Sequence, residues 1–391
     1  MLNTNFSPWP SYSVEEADAV RQVLLSNKVN YWTGSECRIF EKEFAAFADC
    51  AYAVALANGT VALDVAFKAL DIGAGDEVIV TSRTFIASIS SIVNAGASPV
   101  FADIEADSQN ISASTIAKVI TNRTKAIVCV HLAGWPCEMD DIMALADQHN
   151  LYVIEDCAQA HGAKYRGKSV GSIGHIGAWS FCQDKIMTTG GEGGMVTTNN
   201  KALWSKMWSF KDHGKSWESV YSTEHPAGFK WLHDSFGTNW RMTEIQGVLG
   251  RHQLLCMPDW TEKRQANANR IWNTAREITA LRVPVLPDYI EHAAYKCYVF
   301  VRLEALATGW DRDRILNEII ASDVPCYSGS CSEVYLEKAF ENTTWRPEKR
   351  LAVAKKLGET SLMFLVHPTL TDFEVQKTCD AIVKVMAKAS K

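Results

Sequence analysis

Residues 180–196, SFCQDKIMTTGGEGGMV, place one lysine, Lys185, between two apolar runs. The runs at 176–181 and 195–198 read as strands, and Gly190, Gly191, Gly193 and Gly194 form a turn before the second. A lysine held in a tight loop between strands has few uses. Desolvated beside other polar groups, its amine becomes a nucleophile that can hold an aldehyde as a Schiff base. The plain alternative is a surface lysine in a loop whose glycines serve only the turn.

Working outward from this loop, strands and helices alternate. Residues 53–56, 77–81 (EVIVT), 99–103, 126–131 and 151–156 (LYVIED) are short, nearly continuous apolar runs, as in strands buried on both faces. Between them Val61, Leu63, Ala66, Phe67 and Leu70 recur near helical spacing, and 85–95, 112–120 and 140–149 read as helices. The alternation implies an α/β fold, a mostly parallel sheet flanked by helices. Ahead of it, Ser13 and Glu16 make a capping-box pattern before Val20, Leu24 and Leu25, and a second helix spans about 36–48. Residues 211–236 are polar, aromatic and rich in histidine, and read as a long loop, either functional or a mobile excursion. A long helix is expected over 242–277, with a domain boundary inside it. The expected division is a large domain, 1–250, and a smaller C-terminal α/β domain, 251–391, with a strand at 298–303 and helices at 312–321 and 372–387.

The 391 residues suffice for two or three domains, or one large domain with a smaller one attached. A net charge of −6 without any basic cluster argues against nucleic-acid binding. The opening residues MLNTNFSPWP lack the charged start and apolar core of a secretory signal, and no apolar run reaches membrane-span length. The expectation is a cytoplasmic protein. Eleven cysteines without a C-x-x-C pair fit free thiols, and neither a disulfide framework nor a metal site is expected. Cys326 and Cys331 lie close in sequence, but no histidine cluster joins them.

Ligands of open α/β sheets sit at the C-terminal ends of the strands, and three features fall there. Asn58-Gly59-Thr60 separates a strand from a helix start. Its free N–H groups and the Thr60 hydroxyl could hold a phosphate against the helix dipole, or Asn58 and Thr60 could simply cap the helix. Asp156 closes an apolar strand, where an unpaired charge costs several kcal/mol. Its partner is a protein cation or a ligand cation such as a protonated pyridine, and Gln159 follows within reach of the same place. Ser180 ends the strand before Lys185 and could add a hydroxyl to a phosphate site. A phosphate cup, an acid for a ring nitrogen and a lysine for an aldehyde are three separate requirements of pyridoxal 5′-phosphate (PLP).

The chain resembles the sugar-nucleotide aminotransferases of the DegT/StrS family over nearly its whole length. The stretches that carry the resemblance are NGTVAL, GDEVIVTSRTFIAS, GASPVFADI, HLAGWP, IEDCAQAHGA, SFCQDKIMTTGGEGGMV and NWRMTEIQ. It implies the PLP-dependent transferase fold type I, like aspartate aminotransferase. It also implies roles. Lys185 carries the cofactor and moves the proton between donor and cofactor carbons. Asp156 pairs with the pyridine nitrogen, Gln159 lies near the ring, and Phe85 stacks on it. Gly59, Thr60 and Ser180 hold the phosphate. Asn239 reaches the phosphate from a neighbouring subunit, with Arg241 at the same border, so the site is shared in a homodimer. Tyr327 lines the sugar-nucleotide site.

The chain departs from its relatives at Cys182, Gln183 and Asp184, where proline, histidine, serine or threonine is common, and at Asn58, where serine is commoner. Asp184 raises the lysine pKa only if it faces the amine, and is expected to turn away. Relatives with histidine for the lysine are dehydratases; Lys185 argues against that branch. The resemblance thus implies transfer of an amino group, with L-glutamate as donor, to a keto group of a nucleotide-linked deoxysugar. C-4 is favoured over C-3, and the product is an amino sugar for a surface polysaccharide or O-antigen. The alternatives are a PLP-dependent dehydratase and a regulator that kept the fold and lost turnover.

Overall fold

The apolar runs become strands β1 (Tyr52–Leu56), β2 (Glu77–Thr81), β3 (Ser98–Ala102), β4 (Thr124–Val130) and β5 (Tyr152–Asp156). Two short strands follow, β6 (Lys164–Tyr165) and β7 (Lys168–Ser169), then β8 (Ile176–Ser180) and β9 (Gly194–Thr198). The computed structural model describes residues 5–391. Residues 1–4, the start of the stretch read for a signal sequence, lie outside the described residues. Seven strands form one sheet in the order β1-β9-β8-β5-β4-β2-β3. Neighbours from β8 to β3 pair in parallel, and β9 alone runs against both of its neighbours.

Both faces of the sheet are covered. Val78 and Val80 join a core with Leu63, Ala66 and Phe67 of helix Gly59–Ala69. Ile79, pointing the other way, joins a core with Ile142 and Ala146 of helix Met139–His149. Period-2 alternation along one buried strand therefore feeds two cores, which is why its sequence reads as continuously apolar.

The C-terminal part adds β10 (Leu281–Arg282), β11 (Ile290–Glu291), β12 (Cys297–Val301), β13 (Cys326–Tyr327) and β14 (Ser361–Phe364). Four of these make an antiparallel sheet in the order β10-β12-β14-β13, while β11 pairs with β6 in a small three-stranded sheet. Helices Arg312–Ile320 and Asp372–Ala389 pack on the four-stranded sheet through Ile315, Ile319, Ile382 and Val385. Helix Glu244–Arg276 links the two parts, and the 250/251 division falls inside it. Its Thr243 N-cap and Gln246 satisfy each other's backbone N–H groups. Gly250 lets Phe40 approach: a Cβ there would lie 2.5 Å from the ring.

Several elements differ from expectation. The helix expected over 85–95 begins at Ala87, because Phe85 belongs to a turn that leaves its ring outside the core. The helix expected over 112–120 is only Ala113–Ala117. The loop at 211–236 contains one short helix, Trp217–Tyr221, and is pinned by backbone bridges between Asp212 and Asn239 and between Lys215 and His233. Strands β6, β7 and β11 were not expected, since two-residue strands carry no periodicity.

The end of β5 decides where the site lies. Alternation sends Glu155 and Asp156 to opposite faces. Glu155 is fully buried and satisfied by four donors: Gly171 N–H at 2.8 Å, Ile173 N–H at 2.9 Å, Gly174 N–H at 2.6 Å and His131 Nε2 at 3.0 Å. His131 Nδ1 accepts from Cys137 N–H, which leaves Nε2 as the donor. His131, Glu155 and Cys157 offer potential metal-ligand atoms within 4.8 Å of one another. The carboxylate's lone pairs are already engaged, so this group is a hydrogen-bond hub that holds the turn leading into β8. Glu155→Ala is expected to cost about 3–5 kcal/mol, because a buried cluster of donors loses its acceptor. A urea-unfolding midpoint equal to that of the unaltered protein would show that the hub is dispensable.

Candidate active site

Three loops at the C-terminal ends of β1, β5 and β8 converge. Asn58 caps helix Gly59–Ala69, its Oδ1 accepting from Val61 N–H at 3.0 Å. The helix start packs against Ser180. A Cβ at Gly59 would lie 2.5 Å from Ser180 Cβ and 2.9 Å from its Oγ, so only glycine lets the helix start come this close to β8. Gly59, Thr60 and Ser180 thus line one cradle, with the positive end of a helix behind it.

Asp156 is buried at the end of β5. Its Oδ2 accepts from Ser88 Oγ at 2.8 Å and its Oδ1 from Ala158 N–H at 3.2 Å. The Ser88 and Thr84 hydroxyls are bonded to each other at 3.0 Å. Among the described residues no cation lies within ion-pair distance of Asp156. Burial pushes its carboxyl above the ordinary value, against the pull of Ser88, the Ala158 N–H, Lys185 and His131. Among the described residues no protein cation pairs with it directly, and the carboxyl lines the cavity.

Lys185 lies in the turn between β8 and β9, its N–H on Cys182 O at 3.1 Å and its carbonyl accepting from Trp9 Nε1 at 2.8 Å. Gly190 and Gly191 hold φ values of +87° and +116°, a region closed to most side chains, so the turn requires them. Asp184 accepts from the Tyr295 hydroxyl at 2.6 Å, and the Lys185 ammonium lies 5.4 Å from the centre of the same ring. Burial would raise the Asp184 carboxyl, but Lys185, the Tyr295 hydroxyl and Lys296 outweigh it and hold it below its ordinary value.

Lys185, Asp156, Gly59, Thr60, Ser180, Phe85, Gln159 and Tyr327 all line one cavity of about 1250 Å³. Phe85 is 69% exposed, with its ring at the cavity wall. Gln159 Oε1 is held by Ala133 N–H at 2.9 Å. The Tyr327 hydroxyl is buried without a partner, and burial pushes its pKa up to about 12. Asn239 and Arg241 are not part of this wall within one chain. Arg241 is paired with Asp212, and Asn239 bridges the Asp212 backbone.

Four residues of the site were not anticipated. Ser88 lies one helical turn after Thr84 in TSRTFIAS and could have been found from that spacing. Trp9, Tyr295 and Lys296 reach the site only through tertiary folding.

The match to the DegT/DnrJ/EryC1/StrS aminotransferase family runs over residues 10–383. The chain belongs to this family. An aminotransferase from Psychrobacter cryohalolentis has the same fold, with a TM-score of 0.96, 66% identity, and coverage of 98% of this chain and 99% of that one. The GDP-perosamine synthase of Escherichia coli O157:H7 is 43% identical over 381 residues, 95% of this chain and 96% of that protein. A UDP-N-acetyl-3-dehydro-alpha-D-glucosamine 3-aminotransferase from Acidithiobacillus ferrooxidans is 33% identical over 369 residues, 93% of this chain and 92% of that protein.

This aminotransferase has the aspartate aminotransferase-like fold, and its cofactor is PLP. The residues present fit that group on their own chemistry: a glycine-lined helix start for an anion, a buried carboxylate short of a cation, and a lysine between them. Ser88→Ala would remove a hydrogen bond to a buried carboxylate. PLP retention is expected to weaken about tenfold, since such charge-assisted bonds contribute about 1.5–3 kcal/mol. Cofactor absorbance after dialysis checks this, and retention equal to that of the unaltered protein would remove Ser88 from the site.

Proposed function

We propose that the chain transfers an amino group from L-glutamate to the C-4 keto group of a nucleotide-linked deoxysugar. The observation that carries this reading is the convergence of Lys185, the cation-deficient Asp156 and the unpaired Tyr327 hydroxyl on one cavity. At about 1250 Å³ the cavity exceeds the usual ~300–1,000 Å³ of a single-ligand site, so cofactor and a bulky acceptor fit together. The names of the relatives support a sugar-nucleotide acceptor. C-4 is taken over C-3 on the family resemblance, although the relatives include a 3-aminotransferase at 33% identity. The product would serve a surface polysaccharide or O-antigen.

Bound PLP supplies an electron sink for the carbanion formed when the donor carbon loses its proton. Gly59, Thr60 and Ser180 would hold its phosphate, Asp156 would keep its ring nitrogen protonated, and Phe85 and Gln159 would lie beside the ring. The Lys185 amine would hold the cofactor and would serve as the base that takes and returns the donor's proton. Tyr327 offers its free hydroxyl to the acceptor.

The proposed assembly is a homodimer with Asn239 reaching the partner's phosphate cradle and Arg241 at the border. Phe229, Trp231 and Phe236 support it: they are 75%, 83% and 98% exposed, just ahead of Asn239. Exposed aromatics clustered in one loop mark a surface that association would cover.

The deciding experiment is the visible spectrum of the PLP-loaded protein before and after L-glutamate, followed by 4-keto and 3-keto sugars linked to UDP, dTDP or GDP. The cofactor band is expected to fade with glutamate and to return with a 4-keto sugar nucleotide. A band indifferent to glutamate would sink the donor assignment, and recovery only with a 3-keto sugar would sink C-4. Asp156→Ala is expected to lose most turnover, and near-normal turnover would overturn its role. Site sharing has its own test. Lys185→Ala and Asn239→Asp are each expected to be inactive, yet mixed dimers carry one intact site. Co-refolding should restore about one quarter of the activity, as random pairing in a two-fold dimer requires. No restoration would mean that each chain completes its own site.

A further inference from the structure

One corner of the cavity carries more positive charge than its carboxylates balance. Lys185 and Lys296 flank one carboxylate, Asp184, which is already engaged by Tyr295, and Arg264 adds a further positive charge beside Lys296. The ammonium groups of Lys185 and Lys296 lie over the same Tyr295 ring, at 5.4 and 4.6 Å from its centre. Among the described residues no carboxylate comes within ion-pair distance of Lys296. Arg264 is fully buried with two nitrogens unpartnered, and its guanidinium lies 4.8 Å from the centre of the Trp9 ring. Burial lowers the Lys296 ammonium to about 8 and the Arg264 guanidinium to about 9. Of these two, Lys296 alone lines the cavity.

A desolvated cation at a cavity wall with no fixed partner is costly until an anion arrives. The phosphate cradle is elsewhere, at the ends of β1 and β8, and the cation-deficient group there is Asp156. The anion that must approach the Lys185 amine is the carboxylate-bearing amino donor. We propose that Lys296 binds the side-chain carboxylate of the amino donor and so selects an acidic amino acid. This rests on the donor reading given above, and it goes further in naming the residue that recognises the donor.

The test uses the PLP-loaded protein and its Lys296→Met and Lys296→Arg variants. Glutarate, a dicarboxylate with no amine to react, is titrated calorimetrically, and the KM values for glutamate and for the sugar nucleotide are measured. In Lys296→Met the glutarate Kd and the glutamate KM are each expected to rise at least about tenfold, the loss of one charge-assisted bond. The sugar-nucleotide KM should stay near that of the unaltered protein. Lys296→Arg should recover most of the loss, which a mere packing role would not permit. Unchanged glutarate and glutamate constants would overturn the proposal. So would a defect confined to the sugar nucleotide, which would move Lys296 to the acceptor's diphosphate. If the unaltered protein fails to use glutamate, the donor reading falls, while the glutarate titration still decides the role of Lys296.

Discussion

Two adjacent buried carboxylates at the end of β5 divide the molecule into scaffold and site. A buried carboxylate must find donors or a cation, and the strand's alternation forces the two to look in opposite directions. Glu155 finds four donors inside the chain and thereby fixes the turn that delivers β8. Asp156 accepts from one hydroxyl and one N–H, and no cation among the described residues pairs with it. The same physics that makes Glu155 a structural hub leaves Asp156 at the cavity wall. Because β8 is registered against β5, the Glu155 hub also sets where Ser180 and Lys185 emerge.

Much of this was legible in the sequence because its carriers are local. The strands are short apolar runs, and Asp156, Ser180 and Asn58-Gly59-Thr60 each stand at the end of one. Lys185 is marked by its glycine turn, whose positive φ values at Gly190 and Gly191 require those residues. Of the Asn58 alternatives, the cap is present, and Gly59 and Thr60 line the cavity beside Ser180. What was not legible depends on distance along the chain. The Trp9 indole bonds a carbonyl 176 positions away, and Tyr295 reaches Asp184 across 111. Neither side of such a pair carries a local pattern. Phe85 shows a subtler limit: helical spacing extended through it, but its ring at the cavity delays the helix to Ala87.

The far wall of the cavity belongs to the four-stranded sheet, so its attachment to the first sheet matters as much as the strand ends. Arg83, just after β2, provides one link. It is fully buried and donates to Ser332 Oγ at 2.7 Å and to Ser361 Oγ at 2.9 Å, with its guanidinium 5.4 Å from the centre of the Tyr298 ring. Burial lowers its pKa, with the Tyr298 side chain pulling it back up. Tyr298 in turn accepts from Ser330 N–H at 2.8 Å, and Gly329 packs so closely on its ring that no side chain fits there.

That chain of contacts gives residues 328–332 a definite position although they have no regular secondary structure. Residues 328–331 line the cavity beside Tyr327, whose hydroxyl has no partner among the described residues. A loop held from behind by a buried arginine and a tyrosine presents its front to a ligand at little ordering cost, since the entropy was lost on folding. The cavity is therefore lined on one side by strand ends of the seven-stranded sheet, through Thr60, Asp156 and Ser180, and on the other by β12, β13 and the loop they brace.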